Sequence, residues 1–311
     1  MTGPVRKVSA RITGNRNITM TAFDKDNAVI NTAETGGANY VGVGTPNKLV
    51  TVESDTVPIA SVNFHDSGNT YTIDDFTFTA DRYVIVLDPG HGQLLDADGA
   101  TLHYQRPATP TFELREDNLT LSIANAVKGK LEADKYTVYL TREGSSAPIN
   151  ERIKGCGAPK YDYCNEDLQL RVERTRQYDK DSDVGAVFVS IHTNGSDIPL
   201  VGRLKNGTES YYCSGDRDYS PLSQGILDGI VALGTVSLGI YDGCDKGVLK
   251  RMAESDIPNS LVEVAYHSNS VKIPGPTDEE RLNNPAFKTS AGNAIATAID
   301  QFIVNVLDGG E

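Results

Sequence analysis

Two histidines follow runs of apolar residues. His91 closes Tyr83-Val-Ile-Val-Leu-Asp88-Pro-Gly-His-Gly, and His192 sits near the end of Ala186-Val-Phe-Val-Ser-Ile-His-Thr-Asn. A near-continuous apolar run reads as a strand buried on both faces. In open α/β sheets ligands bind beyond the carboxyl ends of the strands, so both imidazoles are aimed at that edge. Gly90 and Gly92 let the backbone bend sharply around His91. A third group, Glu263, interrupts Leu261-Val-Glu-Val-Ala-Tyr-His-Ser-Asn. A carboxylate in so apolar a strand is costly unless it is paired or bound to a metal. Two histidines and a carboxylate form a ligand set for catalytic zinc, with the fourth position left to water. Such a water has its pKa lowered to about 7, and a free carboxylate can act as its base. The alternative is that each histidine completes a turn and Glu263 is a buried ion-pair partner. The coincidence of all three at strand ends favours a site.

The elements that must position these groups follow from pattern. Tyr83–Asp88, Tyr136–Thr141, Ala186–Ile191, Thr208–Tyr212 and Ser260–Ala265 read as strands. Leu119, Ile123, Val127 and Leu131 recur at helical spacing after Asp117, a suitable N-cap. Phe287, Ala291, Ala294, Ala298, Phe302 and Val306 mark a last amphipathic helix. Strands alternating with helices imply an α/β domain with a mostly parallel sheet. Before residue 81 the pattern differs. Val5–Thr13, Ile18–Asp24, Ala28–Thr32, Leu49–Val52, Ile59–Phe64 and Tyr71–Phe78 read as short strands broken by turns, the signature of a small all-β sandwich. The division expected is therefore 1–80, an accessory β module, and 81–311, the catalytic α/β domain.

The chain has 311 residues and a net charge of −13. Residues 1–80 contribute −2 and the rest −11, so the acidity belongs to the α/β part. This balance argues against sequence-independent binding to nucleic acid, which depends on Lys and Arg. No stretch reaches the roughly 20 apolar residues of a membrane span. The opening Met-Thr-Gly-Pro-Val-Arg-Lys lacks the apolar core of a secretory signal. The four cysteines, Cys156, Cys164, Cys213 and Cys244, include no Cys-x-x-Cys pair, which argues against a four-thiolate zinc site. Cys156 and Cys164 flank a Gly/Pro/Tyr loop and suit a local disulfide, with Cys213–Cys244 as a second bridge if the fold brings them together. Four free thiols are the other reading.

Four segments in order carry a resemblance: Asp88-Pro-Gly-His-Gly, Glu116-Asp-Asn-Leu-Thr-Leu-Ser-Ile-Ala, Ser190-Ile-His-Thr-Asn and Leu261-Val-Glu-Val-Ala-Tyr-His-Ser-Asn. Together with Val138-Tyr-Leu-Thr-Arg142 and Gly207-Thr-Glu-Ser-Tyr-Tyr212, they resemble the zinc-dependent N-acetylmuramoyl-L-alanine amidases over about residues 82–305. The resemblance implies one zinc ion held by His91, Glu116 and His192, with Glu263 as catalytic acid/base. It implies peptidoglycan as the partner and an extracytoplasmic place of action, which makes delivery without a visible signal peptide a puzzle. Glu113 lies three residues from Glu116 and competes for the ligand role. Counting back from Leu121 favours Glu116. Asn194 and His267 are candidate substrate contacts, His267 also reading as a loop histidine behind the site.

The chain departs from the family pattern at the long Gln93–Phe112 connection, where His103 reads as exposed. It departs again at the Gly144–Gln169 insertion, expected as a stapled lip or a plug. The segments around Asp24, Asp26 and Tyr71-Thr-Ile-Asp-Asp-Phe resemble a jelly-roll module of extracellular bacterial proteins. Such a module docks on glycan or protein, or holds Ca2+, or is a spacer. Rivals for the whole chain are another zinc amidohydrolase or peptidase on wall peptides, and a non-catalytic wall-binding protein.

Overall fold

The computed structural model describes residues 5–54, 57, 59–65, 71–80, 83–92, 94–95, 101–103, 112, 114–148, 162–182, 184–195, 204–215, 217–271 and 275–307. The chain divides into two compact units, Met1–Arg82 and Tyr83–Glu311.

In the first unit, β1 (Val5–Gly14), β4 (Lys48–Glu53) and β6 (Tyr71–Ala80) form one antiparallel sheet in the order β4-β1-β6. A second, in the order β3-β2-β5, comprises β2 (Thr19–Phe23), β3 (Val29–Glu34) and β5 (Ser61–His65). Alternation along β1 sends Val8, Ala10 and Ile12 inward, where they meet Met20, Ala22, Val50 and Val52 in one apolar core. A jelly roll has two sheets of four strands; among the described residues each sheet here has three. Asp24 Oδ1 accepts from the amides of Asp26 and Ala28 at 2.9 and 2.7 Å, so its carboxylate shapes a turn. Among the described residues of this unit, no three His, Cys, Asp or Glu side chains bring ligand atoms together.

The second unit is built on one six-stranded sheet. Its strands are β7 (Val84–Pro89), β10 (Val138–Leu140), β11 (Ala186–Asn194), β12 (Thr208–Tyr212), β13 (Ser237–Asp242) and β14 (Asn259–Tyr266), in the order β10-β7-β11-β14-β12-β13. Neighbours run parallel except β12 and β14, which are antiparallel. Two short strands, β8 (Leu94–Leu95) and β9 (Thr101–His103), pair inside the long connection after His91. Apolar runs in β7 and β11 alternate between two cores. Ile85, Leu87, Val187, Val189 and Ile191 pack under α1 (Glu116–Ala133), α3 (Ser220–Val231) and α6 (Pro285–Phe302). Val86, Ala186 and Phe188 face the opposite core, shared with α2 (Asp162–Lys180) and α4 (Gly247–Met252). Both faces are covered, which explains why these strands lack polar alternation. A short α5 (Asp278–Asn283) precedes α6.

Several boundaries differ from the sequence reading. Helix α1 begins at Glu116 with Arg115 as N-cap, so Asp117 lies within its first turn. The Gly144–Gln169 insertion is in part helix, since α2 starts at Asp162; residues 149–161 lie outside the described ones. The apolar stripe of α6 stops at Phe302 and Ile303, whereas Val306 falls in a terminal π turn and is exposed. Strand β13 goes unread because Ser-Leu-Gly-Ile-Tyr-Asp is half-exposed and too polar to stand out.

Candidate metal centre

The first two site residues sit at neighbouring strand ends. His91 follows β7 and His192 lies in β11, and their rings stand edge to face with centroids 4.8 Å apart. His91 has φ of 62°, a conformation a side chain adopts only when its surroundings fix it. The two flanking glycines have steric reasons. A Cβ at Gly90 would lie 2.4 Å from His192 Cε1. Gly92 has φ of 126°, and a Cβ there would lie 2.8 Å from the Ala147 backbone.

Two buried arginines hold this loop. Arg142, just past β10, donates to the carbonyls of Pro89, Gly90, Asp117 and Gly144. Arg171, from α2, donates to the Pro89 and His91 carbonyls and pairs with Asp88 at 2.6 Å and Asp167 at 2.9 Å. Asp88 also accepts from Thr141 Oγ1 at 2.5 Å and Ser190 Oγ at 2.7 Å. Burial by itself would raise the Asp88 carboxyl; Arg171 and the hydroxyl donors outweigh it and hold Asp88 below the usual carboxylate range. Burial is likewise the chief influence on Arg142, which is pushed down to about 10. The sequence reading singled out Thr141-Arg142 but missed Arg171. Arg171 lies in Leu-Arg-Val-Glu-Arg-Thr-Arg, where nothing local separates it from Arg174 and Arg176.

Glu116 reaches the imidazoles from the first turn of α1, where the helix dipole favours a negative charge. Its Oε2 lies 3.1 Å from His91 Nε2, and its Oε1 lies 3.3 Å from His192 Nδ1 and accepts from the Thr193 amide at 3.0 Å. Burial opposes ionisation of Glu116, but the two imidazoles prevail and hold it well below the ordinary range. Burial pushes the His91 imidazole down. It acts the same way on His192, where Glu116 and Glu263 reverse it and raise the ring. One nitrogen from each ring and one Glu116 oxygen fall within 4.8 Å of one another, a group that could hold a metal ion. Two imidazoles and a carboxylate match the donor chemistry of a catalytic zinc site. Glu113, the competing carboxylate, lies outside the described residues.

Glu263 stands beside this group. In the sheet register it is the direct partner of His192 on one side and of Glu209 on the other, so the three share one row and one face. A cleft of about 510 Å³ opens over this row, bounded by His192, Asn194, Glu209 and Glu263 among others. Asn194 reaches that wall and donates to Glu209 Oε1 at 2.5 Å. His267 does not line it: it is 3% exposed, and its Nδ1 lies 3.0 Å from Thr193 Oγ1. Its place is behind the site, because β14 ends in a turn whose amide at His267 bonds the Asn194 carbonyl. Cys213 and Cys244 form a disulfide that ties the end of β12 to the loop after β13. The proposed Cys156–Cys164 bridge and the side chain of His103 lie outside the described residues.

The strand ends of an α/β sheet and the first turn of α1 thus bring together two imidazoles and a carboxylate that could hold a metal ion, with a second carboxylate, Glu263, and a cleft beside His192. The model of the Amidase_3 family, N-acetylmuramoyl-L-alanine amidase, fits residues 85–301, and the chain belongs to that family. It is 27% identical over 239 residues to N-acetylmuramoyl-L-alanine amidase AmiC of Neisseria meningitidis, covering 71% of this chain and 53% of that one. This chain thus spans about half the length of that relative. It is 25% identical over 223 residues to the germination-specific N-acetylmuramoyl-L-alanine amidase of Bacillus subtilis, covering 70% of this chain and 78% of that one. The fold is shared with the N-acetylmuramoyl-L-alanine amidase AmiC2 of Nostoc punctiforme, at 24% identity and a TM-score of 0.50. That likeness covers 71% of this chain and 97% of the other.

Proposed function

We propose that this chain hydrolyses the amide between the lactyl group of N-acetylmuramic acid and the L-alanine of the peptidoglycan stem. The observation that carries the reading is the convergence of His91, Glu116 and His192 within 4.8 Å, with Glu263 the register partner of His192, in a chain of the amidase family. His91, Glu116 and His192 would hold one zinc ion. When bound, zinc supplies Lewis-acid polarisation of the scissile carbonyl and lowers the pKa of water in the site.

The chain's own residues supply the rest. Glu263 takes the proton of the attacking water and passes it to the leaving amine nitrogen, which lets the C–N bond break. Glu116, held ionised by its two imidazoles, brings a full negative charge to the ligand set. Burial of His91 favours its neutral form, the form in which an imidazole can ligate. Asn194, its carbonyl bonded by the Gly195 amide at 2.8 Å and its amide by Glu209, is fixed at the cleft wall to orient substrate. The Asp88–Arg171–Arg142 network acts by positioning the His91 loop.

An extracytoplasmic place of action is supported by the Cys213–Cys244 disulfide, since such bonds persist in oxidising compartments. Among the described residues, no helix is long and apolar enough to cross a membrane. Peptidoglycan is then the partner, and we assign residues 1–80 no part in the reaction. Mass spectrometry of digested peptidoglycan tests the activity. Free glycan strands and peptides beginning with L-Ala are expected. Cleavage within the stem peptide would instead make the chain a wall peptidase.

A further inference from the structure

Thr193 stands between two residues of the site, His192 and Asn194, but its side chain turns the other way. Along β11 Val189 and Ile191 pack under α1, and alternation sends Thr193 to the same face, where it is 1% exposed. Two bonds hold it there. Its amide donates to Glu116 Oε1 at 3.0 Å, and its hydroxyl lies 3.0 Å from Nδ1 of the buried His267. A third bond completes the set: the His267 amide donates to the Asn194 carbonyl at 2.9 Å. Residue 267 thus grips both residues that follow His192 on β11.

The sheet is irregular at this point. His192 is the register partner of Glu263, but Asn194 is that of Tyr266, so β14 takes three steps where β11 takes two. An extra residue of this kind interrupts the ladder and re-aims nearby side chains. Regular pairing is therefore broken just where Thr193 offers its amide to Glu116, and the hydroxyl–imidazole bond holds that residue in place.

Stability alone gives no reason for the pair. A buried hydroxyl and its imidazole partner can be replaced together by apolar groups of similar shape at little cost, because neither is then left facing a lost partner. Apolar contact is non-directional, whereas a hydrogen bond fixes which way Thr193 faces.

We infer that His267 is a positioning residue: through the Thr193 hydroxyl it holds the amide that orients Glu116, and so sets how tightly His91, Glu116 and His192 hold a metal ion. The inference rests on the ligand set proposed above.

Zinc affinity of the full chain, measured by competition with a chelator of known affinity, tests it. His267→Leu and Thr193→Val should each weaken zinc binding roughly tenfold, the lower end of what the outer partners of metal ligands contribute. Thr193→Ser keeps the hydroxyl, and His267→Asn can place a polar atom near the position of Nδ1, so both should restore most of the affinity. The double variant His267→Leu/Thr193→Val should bind zinc no more weakly than either single variant, because each change removes the same bond. Its metal-free thermal midpoint should match that of the wild type, which separates positioning from folding. Wild-type affinity in the double variant, or losses that add in it, overturns the role. Absence of zinc binding by the wild type overturns the ligand set and the role with it. No peptidoglycan enters the titration, so its failure is distinct from a failure of the amidase activity.

Discussion

Residues 1–82 and residues 83–311 bury different things. In the first unit the buried polar groups among the described residues are Thr21, Thr35, Asn39 and Ser54, all uncharged. Asn39 shows their role: its side chain accepts from the Gly14 amide and donates to the Ile12 carbonyl, closing a turn. In the second unit Asp88, Glu116, Arg142 and Arg171 are buried to 3% exposure or less, and three of these four bear directly on one loop. Burying a charge costs several kcal/mol before its partners offset it. A fold that needed only stability would use apolar residues there, as the first unit does. Asp88, Arg142 and Arg171 are buried where they hold the His91 loop, and Glu116 where it meets both imidazoles, whereas Asp278 and Glu279, equally buried, accept from the backbone amides of Gly207, Tyr266 and Phe112.

The comparison can be broken at graded cost. Glu263→Ala should lower kcat about 10²- to 10⁴-fold while the zinc content of the purified protein stays that of the wild type. Wild-type turnover in this variant would remove the acid/base from the account. Arg171→Met should destabilise the second unit by about 3–5 kcal/mol, because Asp88 keeps a buried charge without its main partner. Chemical unfolding measures that loss, and zinc affinity should fall with it as the His91 loop loosens. In the first unit, Met20→Ala should cost about 2–5 kcal/mol by leaving a cavity, with kcat/KM unchanged. A loss of turnover there would erase the distinction drawn between the units.

Two further effects sharpen it. Replacing Cys213 and Cys244 together by serine should cost about 4 kcal/mol, the loop-closure value for a separation of 31 residues. The smallest effect is an acid limb. Asp88 titrates below its unfolded value of about 3.9, so its contribution is fully present above that pH. It is lost as pH falls through the folded value. Thermal midpoints followed downward from pH 5 should therefore drop below about pH 4, and Asp88→Asn should flatten that limb.

His91, His192 and Glu263 were legible because each interrupts or closes an apolar strand, a local signal tied to where α/β sheets bind ligands. Glu116 was not legible from periodicity. It needed the motif around Leu121, and Asp117 looked the better helix start until the inward turn of Glu116 moved the boundary. Arg171 was invisible because its importance lies in reaching Asp88, 83 residues earlier in the chain. The six strands of the first unit followed from alternation, but their assembly into two three-stranded sheets did not, since register across long loops is set by the assembled core. His267 shows the reverse case: a suggestive residue four positions past Glu263 that the turn after β14 buries behind Thr193.

The central claim is that a metal ion held by His91, Glu116 and His192 works with Glu263 on the muramoyl–alanine amide. Digestion of purified peptidoglycan before chelation, after chelation and after zinc is restored, with the released peptides sequenced from their N-termini, tests it most directly. The account predicts new L-Ala N-termini that vanish with the metal and return with zinc. Release that persists in metal-free protein, or peptides that begin at another residue, would contradict it.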